Sequence, residues 1–150
     1  MKYAHLIKID VFSKEGEDED VITKRLLSLI PFSIEKQKIK LEKSKAEGFG
    51  DKSINIFEIT LTKDSHINQF LKNLKEKLAD EQKKIILKQA ESRLDEDLNF
   101  FLRLDKEKLI NEDMLWITDS GNCFHIKISI AAFPKKRDVG LEIVKNLFKQ

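Results

Sequence analysis

A single cysteine, Cys123, leaves the chain without a partner for an internal disulfide and suits a reducing compartment. Two prolines and five glycines among 150 residues leave little material for long loops or linkers. No apolar run approaches the roughly 20 residues of a membrane-spanning helix, and the N-terminal stretch lacks the apolar centre of a secretion signal. A soluble, cytoplasmic protein with no membrane contact is the expectation. Histidine is equally sparse: His5, His66 and His125 lie far apart with no ligand-like spacing, and one cysteine cannot supply a zinc framework. P-loop, G-x-S-x-G and H-E-x-x-H motifs are absent. Cys123 and His125, two apart on one strand, lack the separate orienting group that nucleophilic catalysis uses. The reading is a protein that is not an enzyme, with no cofactor and no metal site. One-sided charge is missing too: 28 bases against 26 acids is too mild to imply a nucleic-acid coat by itself.

What is present is enough apolar residue, 41%, to form a core, and one domain spanning residues 1–150 is expected. The chain is organised around Cys123 to Arg137. Phe124, Ile126, Ile128, Ile130 and Ala132 alternate with His125, Lys127 and Ser129, the period of a half-buried strand. Pro134 ends the run because it has no N–H to donate, and Lys135, Lys136 and Arg137 follow.

In chain order, Tyr3–Phe12 reads as a strand and Glu17–Ile30 as a helix with an acidic first turn, stopped by Pro31. Ile34–Lys45 reads as a second strand, joined through Gly48-Phe49-Gly50 to a third at Ile54–Leu61. Ile67, Phe70, Leu71, Leu74 and Leu78 fall at helical spacing, and Asp80 starts or continues a helix through Leu94. Asn99–Asp105 is a fourth strand. Leu115–Thr118 and Cys123 onward flank Asp119-Ser120-Gly121-Asn122, which reads as a hairpin turn. Val139, Ile143, Val144 and Leu147 mark a closing helix. The order βαββααβββα predicts an α+β fold, a largely antiparallel sheet with helices packed over one face.

Charge is uneven within this plan. Lys36–Lys45 holds five lysines against Glu42, and alternation places Lys36, Lys38 and Lys40 on one strand face. Lys127, Arg103, Lys135, Lys136 and Arg137 form a second basic group, and Phe101 beside Arg103 offers an aromatic platform for a base. The plain alternative is a solvated edge strand whose lysines discourage aggregation.

Three stretches carry a family resemblance: AEGFGDKSI (Ala46–Ile54), SRLDEDLNFFLRLDKE (Ser92–Glu107), and Cys123–Arg137 with its AAFPKKR ending. With the acidic EDEDV before the first helix, the chain resembles archaeal RNA-binding proteins predicted to associate with the exosome. It departs from their pattern at Asp51 and Glu107, each of which adds negative charge. The resemblance implies a fold similar to the ribosomal protein that holds the five-S RNA, and it implies RNA association.

Two functions from different classes follow. The first is a non-catalytic RNA-binding protein, an accessory factor of RNA processing or the exosome. It would use Arg103, Lys127, Lys135, Lys136 and Arg137, extended by Lys38 and Lys40, with Gly48, Phe49 and Gly50 and Phe101 at the bases. The second is a protein-interaction adaptor or homodimer that docks a processing complex through Ile39, Leu41 and Phe49.

Overall fold

The computed structural model describes residues 2–47 and 53–150. The two best alternating stretches make its centre: β1 (Ala4–Ser13) lies beside β5 (Cys123–Ile130). With β2 (Glu42–Glu47), β3 (Ser53–Leu61) and β4 (Asn99–Asp105) they form one sheet of order β2-β3-β1-β5-β4, antiparallel at every pairing. Register turns alternation into rows. Phe57, Val11, Phe124 and Leu104 cross the sheet in one row, Ile59, Ile9, Ile126 and Leu102 in the next, and Leu61, Ile7, Ile128 and Phe100 in a third. All of these side chains are buried.

Helices cover that apolar face. α1 (Glu19–Ser28) presents Ile22 and Leu26, and Asp18 caps it by accepting from the N–H groups of Asp20 and Val21 at 3.0 and 3.3 Å. Gly16, at φ 90°, makes the left-handed turn between β1 and α1 that a side chain would strain. α2 (Asp64–Lys77) buries Ile67, Phe70, Leu71 and Leu74, the helical stripe legible in the sequence. α3 (Asp80–Lys88) and the short α4 (Ala90–Arg93) lead into β4. α6 (Arg137–Phe148) closes the layer with Ile143, Val144, Leu147 and Phe148. The α+β class, with an antiparallel sheet and helices over one face, is as expected.

Three details differ. Of the expected strand Ile34–Lys45, only Glu42–Lys45 is strand, within β2, and Ile34–Leu41 is not. Residues 33–39 close a compact turn through Gln37 N–H to Ser33 O at 3.1 Å and Ile39 N–H to Ile34 O at 2.8 Å, with Lys38 left-handed at φ 58°. Ile34, Ile39 and Leu41 pack against the core, so apolar anchors of a turn imitated strand alternation. A further helix, α5 (Lys106–Glu112), follows β4 directly. Its first residue, Lys106, is buried at 3% exposure, donating to Phe12 O at 2.6 Å and to the Glu17 carboxylate at 3.0 Å. Finally, Leu115–Thr118 forms no hairpin with β5. Ile117 makes an isolated bridge to Leu104, and the segment lies along the outer edge of β4 through Asp105 N–H to Trp116 O (2.7 Å) and Thr118 N–H to Arg103 O (3.0 Å). Gln82 of α3 clamps it by accepting from Ile117 N–H at 2.7 Å.

Candidate nucleic-acid interface

The face of the sheet away from the helices carries the other half of each alternation. One row runs Glu42, Glu58, Asp10, His125, Arg103, and the next runs Thr60, Lys8, Lys127, Phe101. The first row therefore passes from acids on β2, β3 and β1 to His125 on β5 and Arg103 on β4. The open face is thus a mosaic with its cationic and aromatic half over β5 and β4. Lys8 reaches the Glu58 carboxylate at 3.7 Å, and His125 Nδ1 lies 3.5 Å from Asp10 Oδ2. The Phe101 and His125 rings sit 5.5 Å apart, tilted by 30°, and form a partly exposed aromatic floor.

Two hollows open beside this floor. One, of about 390 Å³, is lined by Asp10, Phe12, Glu58, Arg103, Cys123 and His125. The other, of about 550 Å³, is lined by Gln89, Arg93, Phe101, Arg103, Asp119 and His125. Cys123, His125 and Asp10 share the first, but burial pushes the Cys123 thiol up, against the pull of Arg103. A protonated thiol is a poor nucleophile, so this grouping is unsuited to thiolate chemistry.

At the opposite end of β5 the chain turns into the loop 131–136. Lys135 lines a hollow with Asn99 and Ser129, which are joined by a 2.7 Å hydrogen bond from Ser129 Oγ to Asn99 Oδ1. The basic exit thus borders the open face, beyond the end of β5 opposite Cys123. Phe133 protrudes from this loop at 96% exposure, next to Lys135 and Lys136. The sequence reading passed over it. Its signal was an aromatic placed after the alternation ends and held outside the strand by Pro134.

The remaining expected residues are distributed unequally. Arg103, Lys127 and Phe101 share the open face. Arg137 is engaged structurally: its guanidinium donates to the carbonyls of Glu91 (2.5 Å), Leu94 (2.8 Å) and Asp95 (3.4 Å), latching the start of α6 to the end of α4. Lys38 and Lys40 do not share a strand face. They lie in the segment tied to the helical layer by the 3.0 Å contact of Gln37 with His66 of α2. Gly48, Phe49 and Gly50 lie outside the described residues. Arg93 and Lys8, unmarked in the sequence reading, join the interface because register and the fold of α4 bring them there. Among the described residues, no helix is long and apolar enough to cross a membrane.

Comparison with known proteins identifies the family. A family model described as RNA binding matches residues 6–130. An RNA-binding protein of Pyrococcus abyssi is 28% identical over 142 residues, covering 95% of this chain and 92% of its own. A crystal structure from Archaeoglobus fulgidus superposes with a TM-score of 0.85 at 28% identity, covering 96% of this chain and 99% of the other. A structure from Methanothermobacter thermautotrophicus gives 0.79 at 26% identity, covering 98% and 99%. The match over most of the chain, with structural likeness along nearly all of it, places the protein in this RNA-binding family.

Proposed function

We propose that the protein binds single-stranded or unpaired RNA without catalysing a reaction on it, through the β4–β5 half of the open face and the loop 131–136. The observation that carries this reading is the row Lys8, Lys127, Phe101, a line of cations and an aromatic on the face the helices leave open. Cations at that spacing suit successive phosphates, and exposed aromatics stack on splayed bases. Phe133 with Lys135 and Lys136 repeats the combination at the end of the sheet. Family membership and the Pyrococcus abyssi relative, itself named an RNA-binding protein, support the same reading. Service as an accessory factor in RNA processing, including at the exosome, is part of the proposal and rests on the resemblance in the sequence.

The adaptor reading loses two of its three expected anchors, because Ile39 and Leu41 pack on the core, and the third, Phe49, lies outside the described residues. It survives at Phe133, whose exposed ring also suits a protein pocket. One experiment separates the two. Electrophoretic shifts with a short single strand and a hairpin, across salt, are run on Lys135/Lys136→Ala and on Lys72/Lys75→Ala of α2. RNA binding through the open face weakens only the first variant and lowers its salt slope by about 0.7 per lost phosphate contact. Equal losses would reduce RNA attraction to general charge, and the adaptor would then lead.

A further inference from the structure

The hollow beside β4 gathers two guanidiniums around one residue. Arg93 has a side chain only 9% exposed. Its Nε and Nη2 donate to Gln89 Oε1 at 2.9 and 2.6 Å, and Nη1 reaches Phe101 O at 3.4 Å. Locked this way, Arg93 presents Nη2 to Asp119 Oδ1 at 3.3 Å. Arg103 Nη1 donates to the carbonyl oxygen of the same Asp119 at 3.0 Å. The Asp119 side chain is 91% exposed, and 3.3 Å exceeds the 2.7–2.9 Å usual for a charge-assisted bond, so the carboxylate is held weakly. Burial lowers the Arg93 pKa, Asp119 opposes that, and Arg103 adds to it, as expected for two cations that share one anion. Phe101 and His125 floor the same 550 Å³ space.

We propose that this hollow is a subsite for one RNA phosphodiester and its neighbouring base, with the Asp119 carboxylate occupying the anion position until RNA displaces it. The inference rests on the RNA-binding reading and adds to it a location and a built-in competitor. A phosphodiester offers two charged oxygens, which suit two guanidinium edges better than one distant carboxylate oxygen does. The adjoining base stacks on the Phe101–His125 pair. Displacement needs only a rotation of the Asp119 side chain, since Arg103 is held by its backbone carbonyl. The Ser120 and Asn122 N–H groups are engaged by Thr118 and Ser120 hydroxyls, each at 3.1 Å, so the turn need not move. The protein thereby grips RNA less tightly than its cations permit, and releases it more readily.

The test measures fluorescence anisotropy of a short labelled single-stranded RNA with the full chain. Asp119→Asn should bind about two- to fivefold tighter at low salt, with the gain shrinking as salt rises. Glu76→Gln on α2 makes the same charge change on the helical layer and should stay within about 1.5-fold of the parent. The Asp119→Asn gain should vanish in an Arg103→Ala background. The subsite is overturned if Asp119→Asn binds no tighter than Glu76→Gln, or keeps its gain without Arg103. Those results leave the RNA reading standing, whereas a parent protein that binds neither single strand nor hairpin removes both.

Discussion

Lys8 and Lys127 stand directly opposite each other where β1 pairs with β5. Like charges at a cross-strand pair destabilise a sheet, and the core gains nothing from them because both point to the open face. Lys8 leans to Glu58 at 3.7 Å, whereas Lys127 has no carboxylate at ion-pair distance among the described residues. Under the proposed RNA reading, a phosphate would supply the negative charge that this pair lacks.

Stability and binding should therefore move in opposite directions at this position. Lys127→Thr, which keeps a β-forming residue, is expected to raise Tm by about 1 °C, from relief of a few tenths of a kcal/mol. The same change should weaken RNA binding and reduce the salt slope by about 0.7. A lower Tm with unchanged affinity would show Lys127 to be structural.

The basic run after Pro134 should split by function. Arg137→Ala removes donors from the carbonyls of Glu91, Leu94 and Asp95 and should cost about 1.5 kcal/mol, or about 3–6 °C in Tm. Lys135/Lys136→Ala should leave Tm unchanged and weaken RNA binding. Calorimetry and anisotropy on the two variants give the comparison, and a thermal loss confined to the lysine variant would reverse the assignment.

Within β5, Ile128 is fully buried and should cost roughly 2–5 kcal/mol on truncation to Ala. Ser129→Ala faces the other way and should cost about 0.5–1.5 kcal/mol, because it leaves Asn99 Oδ1 without its 2.7 Å donor. Urea unfolding would show whether the difference holds; equal losses would contradict the register.

A fourth outcome concerns acid. Burial would raise the Glu17 carboxyl, but the Lys14 N–H, the Lys106 hydrogen bond and both lysine charges outweigh it and hold it below its usual 4.5. A lowered carboxylate stabilises the fold above that ordinary value, and the contribution is lost as pH falls through the lowered one. Glu17→Gln leaves the Lys106 ammonium with the Phe12 carbonyl as its charge-independent partner and should cost about 1–3 kcal/mol at neutral pH while flattening the acid limb. Adding Lys106→Met should recover part of the loss. An unchanged acid limb in Glu17→Gln urea titrations would sink the argument.

What was legible in the residues follows from how directly each pattern maps to burial. β4 begins and ends where the sequence placed it, and β5 differs only at its far end, because uninterrupted alternation has one geometric meaning. α5 escaped because its buried face includes Lys106, and a charged residue inside a helix hides the apolar period. The strand expected over 34–45 failed at residues 34–41 from the opposite cause, turn residues whose isoleucines anchor a loop. Asp119–Asn122 does precede β5, but the segment before it pairs with β4, a choice of partner that turn chemistry does not encode. Arg103, Lys127 and Phe101 were readable as one face from their alternation, whereas Arg93 and Lys8 enter only through strand order. No local pattern distinguishes the bound Arg137 from its free-standing neighbours.

The segment along the outer edge of β4 also decides how this molecule meets its own kind. A sixth strand there would have to displace the Asp105–Trp116 and Thr118–Arg103 bonds, and with them the Gln82 clamp. The opposite border, β2, is short and exposes Glu42, Lys43, Lys45 and Glu47. Charged side chains on a short border strand repel an incoming backbone. One edge is filled and the other is charged, so the sheet stops growing at five strands. Both borders thus disfavour edge-to-edge pairing with another strand, and the helices leave the broad open face uncovered.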